Sequence, residues 1–212
     1  MRVIGITGGT GCGKTSVLRM MERLGCFAID ADEVYHRLLR YDKEMLDKLT
    51  AEFPTAFADG ELDRRALGHI VYYDEERMKT LTDITHYHII KDIERLLERG
   101  KRNGAPMAVI DAILLFESGL DRICDLVVGV TAPREVRMRR IMKRDGITRE
   151  KAIERIDAQP DEDFYRENCD YLISNPVDDG SIQDKTIGFY DNLVNGKILP
   201  KDPEKRQKTE EN

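Results

Sequence analysis

No run of about 18 consecutive apolar residues occurs in the 212-residue chain, so no membrane-spanning helix is expected. Cysteine is scarce. Cys12, Cys26, Cys124 and Cys169 stand far apart and form no C-x-x-C pair, which excludes a zinc knuckle or disulfide framework and points to a reducing compartment, the cytoplasm. A signal peptide is not expected either, because Met1-Arg2-Val3-Ile4-Gly5-Ile6 passes straight into a glycine-rich motif. Positive charge is not in excess. The balance of 34 basic and 40 acidic residues leaves −6, which argues against a general nucleic-acid binder. An N-K-x-D motif that would read guanine is missing, and there is no internal repeat.

What is present suits a soluble domain with a charged surface: 41% hydrophobic and 35% charged residues, enough for one substantial core rather than two independent ones. Residues 134–155 hold nine Lys or Arg against four Asp or Glu, a local basic patch fit for a small anionic ligand.

Short apolar runs rich in Val and Ile predict buried strands at residues 3–7, 26–30, 107–111 and 126–131, with a fifth at 171–173. Helical patterns fill the intervals, among them 16–24, 78–97 and 133–144, with Pro133 placed in a first turn. Such alternation implies an α/β, three-layer fold of about five parallel strands flanked by helices, and the glycine-rich motif at residues 8–15 makes it a P-loop fold. The expected organisation is a single domain over residues 1–200 with its core at 1–30 and 105–200. Residues 31–104 read as an all-helical, acceptor-binding insert, 137–165 as a lid, and the polar tail 201–212 as disordered.

Gly8-Gly9-Thr10-Gly11-Cys12-Gly13-Lys14-Thr15, followed by Ser16, matches G-x-x-x-x-G-K-[ST]. Backbone N–H groups must converge on phosphate oxygens there, which demands conformations that side chains forbid. Lys14 can reach the β- and γ-phosphates of ATP, the Thr15 hydroxyl can ligate Mg2+, and the following helix adds its positive end. Cys12 lies where a helix terminus could lower a thiol's pKa, although a small residue that simply fits is the favoured reading.

Ala28-Ile29-Asp30-Ala31-Asp32 places two carboxylates at i and i+2 after the second strand, on one side if the chain stays extended and beside the phosphate loop. Asp32 is the candidate to hold an acceptor hydroxyl and take its proton, with Asp30 as orienter or water-mediated metal partner. The competing role for either is helix capping. Asp111, ending the third strand, is a candidate to hold magnesium through water, and Glu117 is a further carboxylate candidate. Arg137, Arg140 and Arg144 fall on one helical face, suited to neutralising transferred phosphate from a mobile lid. These parts fit a kinase acting on a nucleoside monophosphate or a small alcohol as well, and a nucleotide-dependent regulatory switch is a reading from another class.

The ordered set of motifs resembles the dephospho-coenzyme A kinases from Val3 to Asn175. It comprises I-T-G-G-T-G-C-G-K-T from Ile6, I-D-A-D from Ile29, L-D-R-R-A-L from Leu62 and H-Y-H-I from His86. L-L-F-E from Leu114, the Arg140 and Arg144 pair, R-I-D-A-Q from Arg155 and D-Y-L-I-S-N from Asp170 complete it. The resemblance implies transfer of the ATP γ-phosphate to the ribose 3′-hydroxyl of dephospho-coenzyme A, the last step of coenzyme A synthesis, by a cytoplasmic monomer or small homo-oligomer with no nucleic-acid or membrane partner. It implies Asp32 as acceptor base, Lys14, Arg140 and Arg144 as catalytic cations, and Gln159 and Asn175 around the lid and adenine. It places Asp30, Arg64, His86 and Glu117 with Asp32 on the coenzyme side. Tyr87 and Ile113 stand where the family usually has proline, and Cys12 where it usually has serine; Tyr87 puts the family's local helix break in question.

Overall fold

The computed structural model describes residues 1–200, so the tail expected to be disordered lies outside the described residues. The chain divides into two compact units, one built from residues 1–29 together with the chain from Gly100 onward, the other from residues 30–99.

In the first unit, β1 (Arg2–Thr7) is central to a five-stranded sheet. Its partners are β2 (Phe27–Asp30), β5 (Met107–Asp111), β6 (Leu126–Thr131) and β7 (Tyr171–Ser174), in the order β2-β5-β1-β6-β7. The β5–β1, β1–β6 and β6–β7 pairs are parallel, with Ile6 opposite Asp111 and Val128. Every residue of β6 is buried, which explains its unbroken apolar run. Ile4, Ile6, Val109, Val128 and Val130 pack with Val17 and Met21 of α1 (Lys14–Arg23) and Phe189 and Leu193 of α9 (Ser181–Val194). A second cluster joins Met138 and Ile141 of α6 (Arg134–Asp145) to Ala152 and Ile156 of α7 (Arg149–Asp157). Helix α8 (Glu162–Asn168) precedes β7.

Strand β5 lies between β2 and β1. Two expectations change here. Pro133 is the N-cap of α6, not part of its first turn: its ψ of 143° is non-helical, while its carbonyl accepts from the Val136 and Arg137 N–H groups at 2.9 and 3.0 Å. Helix α1 begins at Lys14, two residues early, because Gly13 turns the chain into it.

The second unit carries α2 (Ala31–Tyr41), α3 (Lys43–Glu52), α4 (Arg64–Tyr72) and most of α5 (Glu75–Arg102). Aspartates start these helices by accepting N–H groups: Asp30 for α2, Asp42 for α3 and Asp63 for α4, each with its side chain on the first turn. It is not purely helical. The strands β3 (Phe57–Ala58) and β4 (Glu61–Leu62) form a hairpin whose turn, Asp59-Gly60, has both φ angles positive, 52° and 82°. Asp-Gly at such a two-residue turn is a hairpin signal, and it is the feature the periodic reading passed over. Helix α5 runs unbroken through Tyr87, whose exposed ring lies under Lys48 and Lys91 at 5.1 and 5.6 Å. Among the described residues no helix is long and apolar enough to cross a membrane.

Candidate active site

The glycine loop leaves the carboxyl end of β1 and re-enters the fold as α1. Gly8, Gly11 and Gly13 have φ of 140°, 81° and 108°, which only glycine adopts without strain. Every carbonyl of residues 8–13 is engaged. Lys14 Nζ donates to Gly8 O at 2.6 Å, Cys12 N–H to Gly9 O at 3.2 Å, and Arg137 Nε to Thr10 O at 2.9 Å. Arg140 Nη1 donates to Gly11 O at 3.1 Å, Asn175 Nδ2 to Cys12 O at 2.8 Å, and Ser16 N–H to Gly13 O at 3.0 Å. With the carbonyls held, the first-turn N–H groups at Lys14 and Thr15, which have no intrahelical acceptor by geometry, remain for an anion. Thr15 and Ser16 are exposed, and Lys14 is buried.

Four residues distant in sequence thus support the loop. Arg140 also pairs with Asp178, Nε to Oδ1 at 2.7 Å, and donates to Val177 O at 3.1 Å. Gln159 Oε1 accepts the Thr10 N–H at 2.7 Å and its Nε2 donates to Thr10 Oγ1 at 3.0 Å. The predicted arginine face therefore splits: Arg137 and Arg140 reach the loop, whereas exposed Arg144 turns to Asp145, at 2.7 Å. The Asp145 carboxylate holds the Arg144 guanidinium above its usual pKa. Asp178 was not anticipated, and no spacing in the sequence singles it out.

Cys12 does not behave as a reactive thiol. Burial raises its pKa, and the charges of Lys14 and Arg137 only partly oppose this, while Asp111 adds to the rise. The small residue that fits is the reading the geometry favours. Cys12, Cys26, Cys124 and Cys169 are all free and buried, and burial pushes Cys26 up to about 11. Asp111 sits at the end of β5 level with Ile6, and Glu117 is exposed on the following loop. Among the described residues no group of three or more His, Cys, Asp or Glu could hold a metal ion by itself.

In the second unit, Asp30 is the N-cap of α2: its Oδ1 accepts the Asp32 and Glu33 N–H groups at 2.9 and 3.0 Å. The chain is therefore not extended across the acidic pair, and the i, i+2 argument fails. Asp32 is an exposed residue of the first helical turn instead. Arg64 opens α4, exposed. Its charge partly offsets the burial that raises the Tyr35 hydroxyl. His86, on α5, is held below its ordinary pKa by burial, against a smaller pull from Asp83.

A glycine cradle of this form between the central strand of such a sheet and a helix defines the P-loop nucleotide-binding class. A model of the dephospho-CoA kinase family matches residues 2–184, and the chain belongs to that family. It is 37% identical over 177 residues to a dephospho-CoA kinase of Symbiobacterium thermophilum, covering 82% of this chain and 74% of that one. Among solved structures, the protein TT1252 from Thermus thermophilus matches with a TM-score of 0.75 and 34% identity over 92% of this chain and 97% of that one. The dephospho-CoA kinase from Campylobacter jejuni matches with a TM-score of 0.66 and 26% identity over 93% of this chain and 100% of that one.

Proposed function

We propose that the chain phosphorylates the ribose 3′-hydroxyl of dephospho-coenzyme A with ATP, giving coenzyme A and ADP. The observation that carries this is the loop whose carbonyls are all tied to donors, which leaves the first-turn N–H groups at Lys14 and Thr15, beside the buried Lys14 ammonium, for a phosphate chain. Lys14 would exchange the Gly8 carbonyl for β- and γ-phosphate oxygens, a stronger, charge-assisted contact. The acceptor oxygen forms its bond to the γ-phosphorus as the bond to the β-bridging oxygen breaks. Asp32 takes the hydroxyl proton, and ADP leaves. In the same reading Arg140, and Arg144 on exchanging Asp145 for phosphate, neutralise charge on the transferred group, with Asn175 on the nucleotide side and Asp30, Arg64, His86 and Glu117 on the coenzyme side.

Magnesium fits the donors present, one exposed hydroxyl at Thr15 and the Asp111 carboxylate acting through water, if phosphate oxygens and waters complete its shell. When bound, it would draw β- and γ-phosphate charge away from the attacking oxygen. A monomer working in the cytoplasm, without nucleic acid, belongs to the same reading, in keeping with four free thiols.

A panel of acceptors with coupled detection of ADP tests it. Dephospho-coenzyme A is expected to stimulate turnover above AMP, shikimate and simple alcohols. Preference for any of those would replace the acceptor, and no stimulation by any acceptor would return the nucleotide-switch reading.

A further inference from the structure

Arg137 takes no part in the chemistry just described, yet it is buried and donates to the phosphate loop. Its guanidinium donates through Nε to Thr10 O at 2.9 Å and through Nη2 to Gln159 Oε1 at 2.9 Å, the same oxygen that accepts the Thr10 N–H. Thr10 is thereby held at its carbonyl, its amide and its hydroxyl by one arginine and one glutamine. Neither acceptor of Arg137 carries a charge, so a desolvated cation stands against neutral partners. Such an arrangement is costly unless an anion shares its field.

The glycines record the same fit. A Cβ at Gly9, whose φ is not in the left-handed region, would lie 2.1 Å from Arg137 Nη2, and one at Gly11 would lie 2.8 Å from Arg137 O. Gly9 is glycine because the guanidinium occupies the place of its side chain.

We infer that Arg137 is a positioning residue for the nucleotide phosphates. It locks the Thr10 peptide through Gln159 and sets a fixed positive charge at the loop that strengthens binding in proportion to phosphate charge. This rests on the reading that residues 8–15 hold a nucleotide. Binding is measured without any acceptor, so an error in the acceptor assignment leaves the result readable; a wild-type protein that binds no nucleotide would instead sink the proposed function itself.

Calorimetric titration of full-length wild type, Arg137→Gln, Arg137→Lys and Gln159→Leu with ATP, ADP and AMP is the experiment. Arg137→Gln should weaken ATP roughly tenfold or more, ADP less and AMP least, the size expected for charge-assisted contacts. Arg137→Lys should keep the ATP-to-AMP ratio while losing part of the affinity, and Gln159→Leu should weaken all three alike. In steady state the ATP KM should rise with kcat close to wild type. Equal weakening of ATP and AMP by Arg137→Gln, or an Arg137→Lys no better than Arg137→Gln, overturns the electrostatic role. Should Arg137→Gln fail to fold, Arg137→Lys decides alone: undiminished ATP affinity overturns the inference, and reduced affinity at a preserved ratio supports it.

Discussion

Asp30 and Asp32 are two carboxylates of one type, two residues apart, with different work. The first caps α2, its Oδ1 taking two backbone N–H groups, while the second is displayed on the first turn. Their substitutions should separate. Asp32→Asn keeps the helix and removes a base, so ATP affinity measured by titration should persist while turnover falls by roughly two orders of magnitude or more. Asp30→Ala should instead cost about 1 kcal/mol of stability in urea unfolding, the usual loss for a deleted N-cap. Near-normal turnover in the first variant would remove Asp32 from the proton transfer. The sequence held both roles as alternatives for both residues. What it could not give was the switch from strand to helix at Ala31, because a capped helix and an extended pair share the same letters until backbone geometry chooses between them.

Among elements, the phosphate loop was readable because glycine, lysine and threonine are there for reasons internal to the motif. The strands were readable because burial on both faces leaves a continuous apolar run, as in β5 and β6. Contacts across long separations were harder to read. Gln159 reaches Thr10 and Asn175 reaches Cys12 over intervals that no periodicity spans, and only family resemblance drew attention to them. The same holds for the tie between α3 and α5. Asp42 caps α3 through Met45 N–H at 2.9 Å, and its other oxygen meets Nδ1 of the buried His88 at 3.2 Å. Asp42→Ala should remove both contacts and destabilise the protein by about 2 kcal/mol. Thermal or urea unfolding measures this, and a loss no larger than that of Asp30→Ala would mean that the His88 contact adds nothing.

For the whole molecule, the titrating groups set an acid limit in two stages. His86 is depressed by burial, so the unfolded chain binds its proton first; stability present above about pH 6.5 declines as pH falls through the folded value. At Asp42 burial raises the carboxyl, but the Met45 N–H and His88 outweigh it and the net shift is downward. Asp145 and Asp157 are lowered by Arg144 and Arg134. Their contributions hold above about pH 4 and are lost below it, the exposed pairs weighing little after solvent screening. Urea unfolding from pH 8 to pH 3 should show both stages, with His86→Gln lacking the first; a flat profile from pH 7 to pH 5 in the wild type would remove His86 from the account. The four sequestered sulfurs carry one more consequence. Burial keeps Cys12 and Cys26 protonated, so an added alkylating dye meets no ready target in the native fold and its uptake becomes a stopwatch for opening. Since Cys12 lies within the loop itself, nucleotide should slow that one sulfur's clock more than the other three.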